Sequence, residues 1–546
     1  MNAQRLLQHF DRIAEAPDAV PRLRRFILDL AVRGKLVEQD PGDEPASELL
    51  KRIRVEKARL VKAGEIRKER PLPLVEEDEA PYTPPAGWAW VRIRHVTSDR
   101  GQITPDKDFT YIDVTAINKE VGCVADAKVL SPLDAPSRAR KMVRTGDVLY
   151  SCVRPYLLNI AVIERDIVPS PIASTAFAVL NGFGLVLSKY LWIALRSPFM
   201  VECVEAKMRG QAYPAINDSD FAILPLPLPP LAEQHRIVAK VDELMALCDR
   251  LEAAQAEREC RRDRLAAASL NRLNNGADAE SFRKNTRFHL RYLPRLTTRP
   301  EHIRQLRQTI LNFAVRGKLV PQDPNDGPAL DFDAGASPQR ALPFEIPDSW
   351  RWSRLQSLGR LKGGGTPSKS QSAYWNGTIP WVSPKDMKRD YIETAQLAIT
   401  QNAVAESAVN MIEPKSILFV VRGMILAHSF PVAIAHVALT INQDMKALVL
   451  RAPDMSEFIL RALKGLKPQI LSTVQRSSHG TCRIEGHDYR DLLVPVPPPP
   501  EQQRIVARVD ELMNLCDQIE AGLTTTETTA RCILEASLHR VLAVRH

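Results

Sequence analysis

The sequence predicts a mixed α/β (α+β) protein built twice over, with two mixed domains separated by long antiparallel coiled-coil helices and related by a pseudo-two-fold internal repeat. Three observations carry this. LDLAVRGKLVEQDP at 28–41 returns as LNFAVRGKLVPQDP at 311–324. EQHRIVAKVDELMALCDRLEAA from Glu233 returns as EQQRIVARVDELMNLCDQIEAG from Glu501, each behind a proline run, LPLPLPP or VPVPPPP. Between these frames lie two stretches of similar size whose sequences differ almost completely. Each opens on a tryptophan pair, Trp88 and Trp90 in PPAGWAWVRI and Trp350 and Trp352 in IPDSWRWSRL.

The chain of 546 residues is 45% hydrophobic and 25% charged, enough for three or four domains and incompatible with a disordered or fibrous chain. Seventy-four Lys and Arg against sixty-five Asp and Glu leave a net charge of +9, which permits a polyanionic partner without requiring one. The eight cysteines form no C-x-x-C pair, so they read as reduced thiols rather than zinc ligands or disulfides. MNAQRLLQHFDR at the start is charged and amphipathic, and no apolar run reaches a membrane span. A cytoplasmic protein with no membrane partner is expected.

The organisation in chain order is an N-terminal helical scaffold (1–85), a first insert (86–229), a central helical spacer (230–345), a second insert (346–499) and a C-terminal helix (500–546). Ile237, Val241, Leu244, Cys248 and Leu251 step by four and three, and Ile505, Val509, Leu512, Cys516 and Ile519 repeat the step, a heptad seam for a coiled-coil spacer between the halves. Val20, Leu23, Ile27 and Leu30, and Ile303, Leu306, Ile310 and Phe313, show the same spacing before Gly34 and Gly317, which suit helix C-caps. Glu233 and Glu501 suit helix N-termini. The inserts carry strand-like runs at 109–117, 146–153 and 159–163, and at 378–383, 416–421, 433–441 and 447–450, followed by helices near 189–207 and 454–475. The basic stretch 283–304 reads as a solvated linker, with phosphate contact as the alternative. The four tryptophans read as core anchors.

Catalytic signatures are missing. KGGGTPSKS (362–370) has no Gly-Lys-Ser/Thr to cradle phosphate, and NGFGLV (181–186) lacks dinucleotide-site spacing. There is no Asn-Pro-Pro-aromatic or Asp-Pro-Pro-aromatic tetrad for methyl transfer to a flipped base, and no H-E-x-x-H. Asp106, Asp126 and Lys128 form one nuclease-like token, in which carboxylates would hold Mg²⁺ and the lysine would steady the attacked phosphate. Histidines 428, 436, 479 and 487 have no metal spacing and read as structural or surface residues.

LAVRGKLVEQDP and FAVRGKLVPQDP, SELLKRIRVEKARLVKAGEIRKER (47–70), GDVLYSCVRPYLLNIAVI (146–163), GGGTPSKSQSAYWNGTIPWVSPKDM (363–387), TINQDMKALV (440–449) and the two EQ-RIVA-VDEL blocks occur in one order. In that order the chain resembles, over nearly its whole length, a specificity subunit of a type I restriction-modification enzyme. The resemblance implies two target recognition domains, each reading half of a split double-stranded DNA site. It also implies a helical spacer and two modification subunits that carry S-adenosylmethionine and the methyl transfer, with restriction or translocase subunits as further candidates. The chain itself is then non-catalytic and holds no cofactor or metal. A self-contained Mg-dependent nuclease and a coiled-coil adaptor without DNA are the alternatives. The GGGTP block is present only in the second insert; GQITPDKDFTYIDVTAIN (101–118) stands in the first, so the inserts should read different sequences.

Base edges are read by Arg, Lys, Asn, Gln, Ser and Thr, and phosphates are neutralised by Lys and Arg. The candidate DNA contacts are Lys107, Arg138, Arg140, Lys141, Arg154, Arg209, Gln211 and Tyr213 in the first insert. In the second they are Thr366, Ser368, Lys369, Lys385, Arg422, Gln443, Arg476, Ser477, Ser478 and His479.

Overall fold

The computed structural model describes residues 18–76, 79–211, 213–274, 278–333, 342–476 and 480–543. The chain forms two compact units, one of residues 1–257 and 527–546, the other of residues 258–526.

In the first unit, α1 (Ala19–Val32) and α2 (Ala46–Lys62) precede the insert, and α3 (Leu231–Asn274) follows it. The insert is closed at its root by Ala89–Arg92 pairing antiparallel with Pro225–Leu228, Ala89 opposite Leu228. A two-stranded ladder is all edge, so the prolines that cannot donate are tolerated there. Beyond this clasp lie a three-stranded sheet (177–180, 148–151, 160–162) and a four-stranded sheet (128–130, 109–112, 171–174, 139–142). The helices Ser188–Arg196 and Pro198–Glu205 join the three-stranded sheet and α1 in one apolar core. The single helix expected near 189–207 is therefore two, because Ser197 is extended and Pro198 opens the second.

The second unit repeats this plan. Arg351–Arg354 pairs with Leu493–Val496, Arg351 opposite Val496. Strands 417–420 and 445–450 lie at the centre of a five-stranded sheet, and Ser456–Gly465 and Lys467–Ser472 take the place of the paired helices. α6 (Pro499–Ala543) then leaves as α3 does. The inserts, whose sequences differ almost completely, nevertheless share a central strand. Val148–Ser151 and Ile417–Val420 are equivalent buried strands that have drifted in identity while keeping apolar character, Val148 against Ile417 and Tyr150 against Phe419. The inserts depart from each other in their second sheets: a four-stranded sheet in one, a bent long strand Trp375–Val382 with its two neighbours in the other.

One polar lock recurs. Trp88 donates its indole N–H to Glu233 Oε2 at 2.7 Å while Gln39 donates to Oε1 at 2.7 Å. Trp350 donates to Glu501 at 2.9 Å, with Gln322 at 2.6 Å. Both carboxylates are buried, and burial raises their pKa even though the indole and amide hydrogen bonds act to lower it. Beside them Arg236 forks onto Asp43 and Arg504 onto Asp326. Gly34 and Gly317 sit at φ +64° and +65°, and a Cβ there would lie 2.3 and 2.4 Å from Pro85 and Pro347. The VRGKLV turn needs glycine both as a cap and for this contact.

The long helices of 44 and 45 residues are present, about 66 Å each at 1.5 Å per residue. The partner of their heptad seam is different from that expected. Ile237, Val241 and Cys248 are buried in the first unit's core with Val20 and Ile27, and Leu244 and Leu251 pack against it. Arg24 of α1 pairs with Asp249 and Glu252, while Gln39 beyond α1 reaches Glu233, so α1 runs antiparallel along the start of α3. In the second unit α5 (Pro300–Val315) does the same for Ile505, Val509, Leu512, Cys516 and Ile519, with Arg307 on Asp517 and Glu520. The seam thus fixes each long helix to its own unit, because the shorter helix before VRGKLV carries the matching spacing.

The far parts of the long helices have other partners. Within the second unit α4 (Ala279–Leu296) lies along the end of α3 through Ser269 and His289, 2.9 Å apart, and Asp263 takes His302 Nε2 at 2.8 Å and Arg299. Within the first, Leu534 of α6 is buried against Ala19, and Glu535 pairs with Arg22 at 2.5 Å. The solvated linker expected at 283–304 is mostly helix α4, whose buried His289 and Leu296 are hidden in the sequence among the exposed Arg283, Lys284, Arg287, Arg291 and Arg295.

Trp350→Phe, which leaves the buried Glu501 without its indole donor, should lower unfolding free energy by about 1.5–3 kcal/mol. Combined with Glu501→Gln in a double-mutant cycle followed by urea denaturation, it should show coupling; additive losses would remove the lock. His289 and His302 are held below the ordinary histidine pKa, first by burial and for His302 also by Arg299. The unfolded chain therefore takes up protons that the folded one refuses. Stability should be full above about pH 6.5 and fall as pH drops through the depressed values. His302→Gln should flatten the fall in thermal midpoint between about pH 7 and 5, and an unchanged slope would contradict it.

Candidate nucleic-acid interface

Each insert ends its central strand at a turn that meets a later loop. In the first, strand 148–151 continues to Arg154, whose N–H donates to Pro214 O at 2.8 Å, and Ile216 N donates to Cys152 O at 3.0 Å. Arg209 and Ala215 exchange hydrogen bonds across the loop. The Arg154 guanidinium carbon lies 4.7 Å from the centre of the Tyr213 ring, and Tyr213 is 70% exposed. Arg154, Arg209 and Tyr213 are thereby brought to one edge, with Gln211 exposed on the same loop. Arg209 is exposed and ion-paired with Asp220 at 3.2 Å. Cys152 beneath them is buried, and its thiol is pushed up to about 12 by burial and the neighbouring Asp218.

Lys107, Arg138 and Arg140 sit elsewhere on the insert, the first two exposed and Arg140 half-buried. Lys141 is a correction. Its side chain is buried, with Nζ 2.6 Å from Asp99 and 3.0 Å from Asp218. Burial pulls its pKa down, but the two carboxylates outweigh this and hold it above the ordinary lysine value. It is neutralised internally and has no free charge for a phosphate. The sequence showed only RARKM, in which nothing separates the inward lysine from its outward arginine neighbours.

In the second insert, strand 417–420 runs on to Arg422 and Gly423. Gly423 N donates to Cys482 O at 2.9 Å, and Ile484 N to Val421 O at 2.9 Å, the same join as in the first insert. Arg476 stands opposite Cys482 in a short ladder and is exposed. Asp444 O accepts from the backbone of Val421 and Arg422, while Gln443 beside it accepts from the Thr366 hydroxyl. Thr366, Gln443, Arg422 and Arg476 therefore occupy connected loops. Ser368 bonds Ser370 at 2.8 Å, Lys369 is exposed beside it, and Lys385 is exposed on a turn closed by Ser383 and Asp386. Among the described residues nothing ties Lys385 to the Arg422 edge. Ser477, Ser478 and His479 lie outside the described residues.

The Gly-rich stretch has a packing reason. A Cβ on Gly364 would stand 1.9 Å from Asn442 O, and Gly365 N donates to Ile441 O at 3.0 Å. The close approach sets Thr366 against Gln443. Residues that sequence reasoning misses are Arg483, across the ladder from Arg422, and the exposed apolar Tyr156, Leu157 and Met424 on the turns after the central strands. The pairing that places Arg483 beside Arg422 is not visible along the chain.

Asp106, Asp126 and Lys128 are all exposed, and among the described residues no group of three or more His, Cys, Asp or Glu is gathered to hold a metal ion. No helix of the described residues is long and apolar enough to cross a membrane.

The family model described as "Type I restriction modification DNA specificity domain" matches residues 172–259 and 347–526, two stretches that each run from an insert through its proline strand into a long helix. The chain is similar to the type I restriction enzyme EcoAI specificity subunit of Escherichia coli, 27% identical over 95% of this chain and 93% of that one. It is similar to the EcoEI specificity subunit of the same organism, 28% identical over the same shares. A solved chain from work on complex assembly and conformational transition of the type I R-M system matches at TM-score 0.52 and 27% identity, covering 84% of this chain and 99% of that one.

Gly364→Ala should lower stability by about 1–3 kcal/mol, as overpacking against backbone does. Gly522→Ala, in helix α6 with nothing beyond its own helical backbone within 4 Å of the added carbon, should raise it by about 0.5–1 kcal/mol. Urea denaturation of both variants tests the assignment, and equal effects would contradict it.

Proposed function

The chain belongs to the specificity subunits of type I restriction-modification enzymes, and from that premise we propose that it is the non-catalytic DNA reader of a methyltransferase complex. One observation carries this reading. Two units with the same clasp, lock and central strand present different side chains at the same join of turn and loop: Arg154 and Tyr213 in one, Arg422, Gln443 and Arg476 in the other. A common frame bearing unlike cationic and amide groups suits the reading of two unlike half-sites. The target is accordingly a bipartite double-stranded DNA sequence, one half per insert, with the long helices setting the unread interval.

In this proposal the chain acts in the cytoplasm with two modification subunits, to which restriction subunits can be added. S-adenosylmethionine is bound by the modification partner, and this chain supplies sequence choice alone. Co-expression with the modification subunit and sequencing of methylated sites should give a split target. Exchange of residues 346–499 for another family member's insert should change one half only. Replacing a lysine or arginine that neutralises a phosphate should flatten the salt dependence of binding by about one charge. A continuous target, or methyl transfer by the purified chain alone, would overturn the reading.

A further inference from the structure

Arg154 occupies a backbone conformation that arginine rarely adopts. Its φ is +48° and its ψ +56°, in the left-handed region, and the turn Pro155–Leu157 that follows ends on a second left-handed residue, Leu158. The second unit makes the equivalent join with glycine, in another positive-φ region: Gly423, at φ +141° and ψ +158°, follows strand 417–420 as Arg154 follows 148–151 and donates its N–H to the equivalent loop. Glycine takes positive φ without a steric penalty. A side chain that persists where glycine is the easy choice marks a position at which the side chain is wanted.

The Arg154 side chain is also held as a tool rather than as packing. Its guanidinium lies over the Tyr213 ring at 4.7 Å, which restrains the plane of the fork. Its Nε is buried and has no hydrogen-bond partner among the described residues. No ion pair or hydrogen bond from its terminal nitrogens is present among them either, in contrast to Arg209, which Asp220 occupies. With Nε turned inward, the two terminal nitrogens form the open end of the fork. Two parallel N–H donors fixed in one plane match the O6 and N7 acceptors on the major-groove edge of guanine, a pairing that arginine's planar fork presents pre-organised and lysine's rotatable ammonium does not.

Resting on the DNA-reading function proposed above, we infer that Arg154, clamped by Tyr213 and carried on a strained turn, is the residue of the first insert that selects a guanine in its half-site. Arg422, which falls one position before Gly423 at the equivalent join, is exposed and has no aromatic clamp among the described residues, so the two inserts do not share this device.

The strain itself supplies a clean test, because Arg154→Gly removes the side chain and relieves the backbone together. The variant should fold with a thermal midpoint at or above that of the parent. Assembled with its modification subunits and presented with duplexes carrying each base at every position of the parent's methylated target, it should lose preference for guanine at one position of one half-site. The expected loss is about tenfold to a hundredfold, with the other half-site unchanged. Arg154→Lys should weaken the same preference while keeping the charge, and so should Tyr213→Ala. If Arg154→Gly weakens all duplexes alike and flattens the salt dependence while Arg154→Lys restores both, the residue is a phosphate clamp and the inference is overturned. It is equally overturned if every base preference survives. A parent complex with no sequence preference would instead overturn the DNA-reading function itself.

Discussion

The hydrogen bond from a buried indole to a buried carboxylate, Trp88 to Glu233 and Trp350 to Glu501, is the constraint on which each unit depends. Three stretches far apart in sequence meet at that carboxylate. The tryptophan begins the insert, the glutamate begins the long helix after the insert, and Gln39 or Gln322 comes from the turn after α1 or α5. A buried carboxyl group is tolerated only when its oxygens are taken up, and here each oxygen has one donor and an arginine nearby. The start and the end of an insert are thus pinned to one point by polar geometry, and the clasp strands beside it complete the closure. With the root fixed in this way, the loops at the other end of the insert are free to change without loosening the frame.

How much of this was legible depends on what each residue's role requires of its identity. The frame was legible because the lock needs particular atoms: Trp88, Glu233, Gln39 and Gly34 are found again as Trp350, Glu501, Gln322 and Gly317. The common core of the inserts was not, because burial asks only for apolar volume, and Tyr150 and Phe419 serve equally well. Gly364 showed as part of a glycine run, but the carbonyl of Asn442 that demands it lies far along the chain. Among the DNA-facing candidates, residue type selected cations and amides without regard to direction. Lys141 and Arg140 are neighbours of similar chemistry on one strand, and the side-chain alternation of the strand sends the lysine inward to Asp99 and Asp218.

The heptad seam shows the same limit in another form. Spacing by four and three establishes that a helix buries one stripe, and it leaves the partner unspecified. Two matching stripes were present in each half, on the helix before VRGKLV and on the helix after the proline run. The structure pairs those two within a unit, where Arg24 with Asp249 and Glu252, and Arg307 with Asp517 and Glu520, set the antiparallel register. The remaining length of each long helix then has a separate set of partners: α4 and His302 along the end of α3, Ala19 and Arg22 along the end of α6.

This division of each long helix has a consequence for how the protein changes over time. A substitution in the first part of α3 is felt by the core that supports the first insert, since Ile237 and Val241 are wholly buried there. A substitution in its last part is felt by buried Ser269, His289 and His302 instead. A shift of register within either part would misplace a buried stripe.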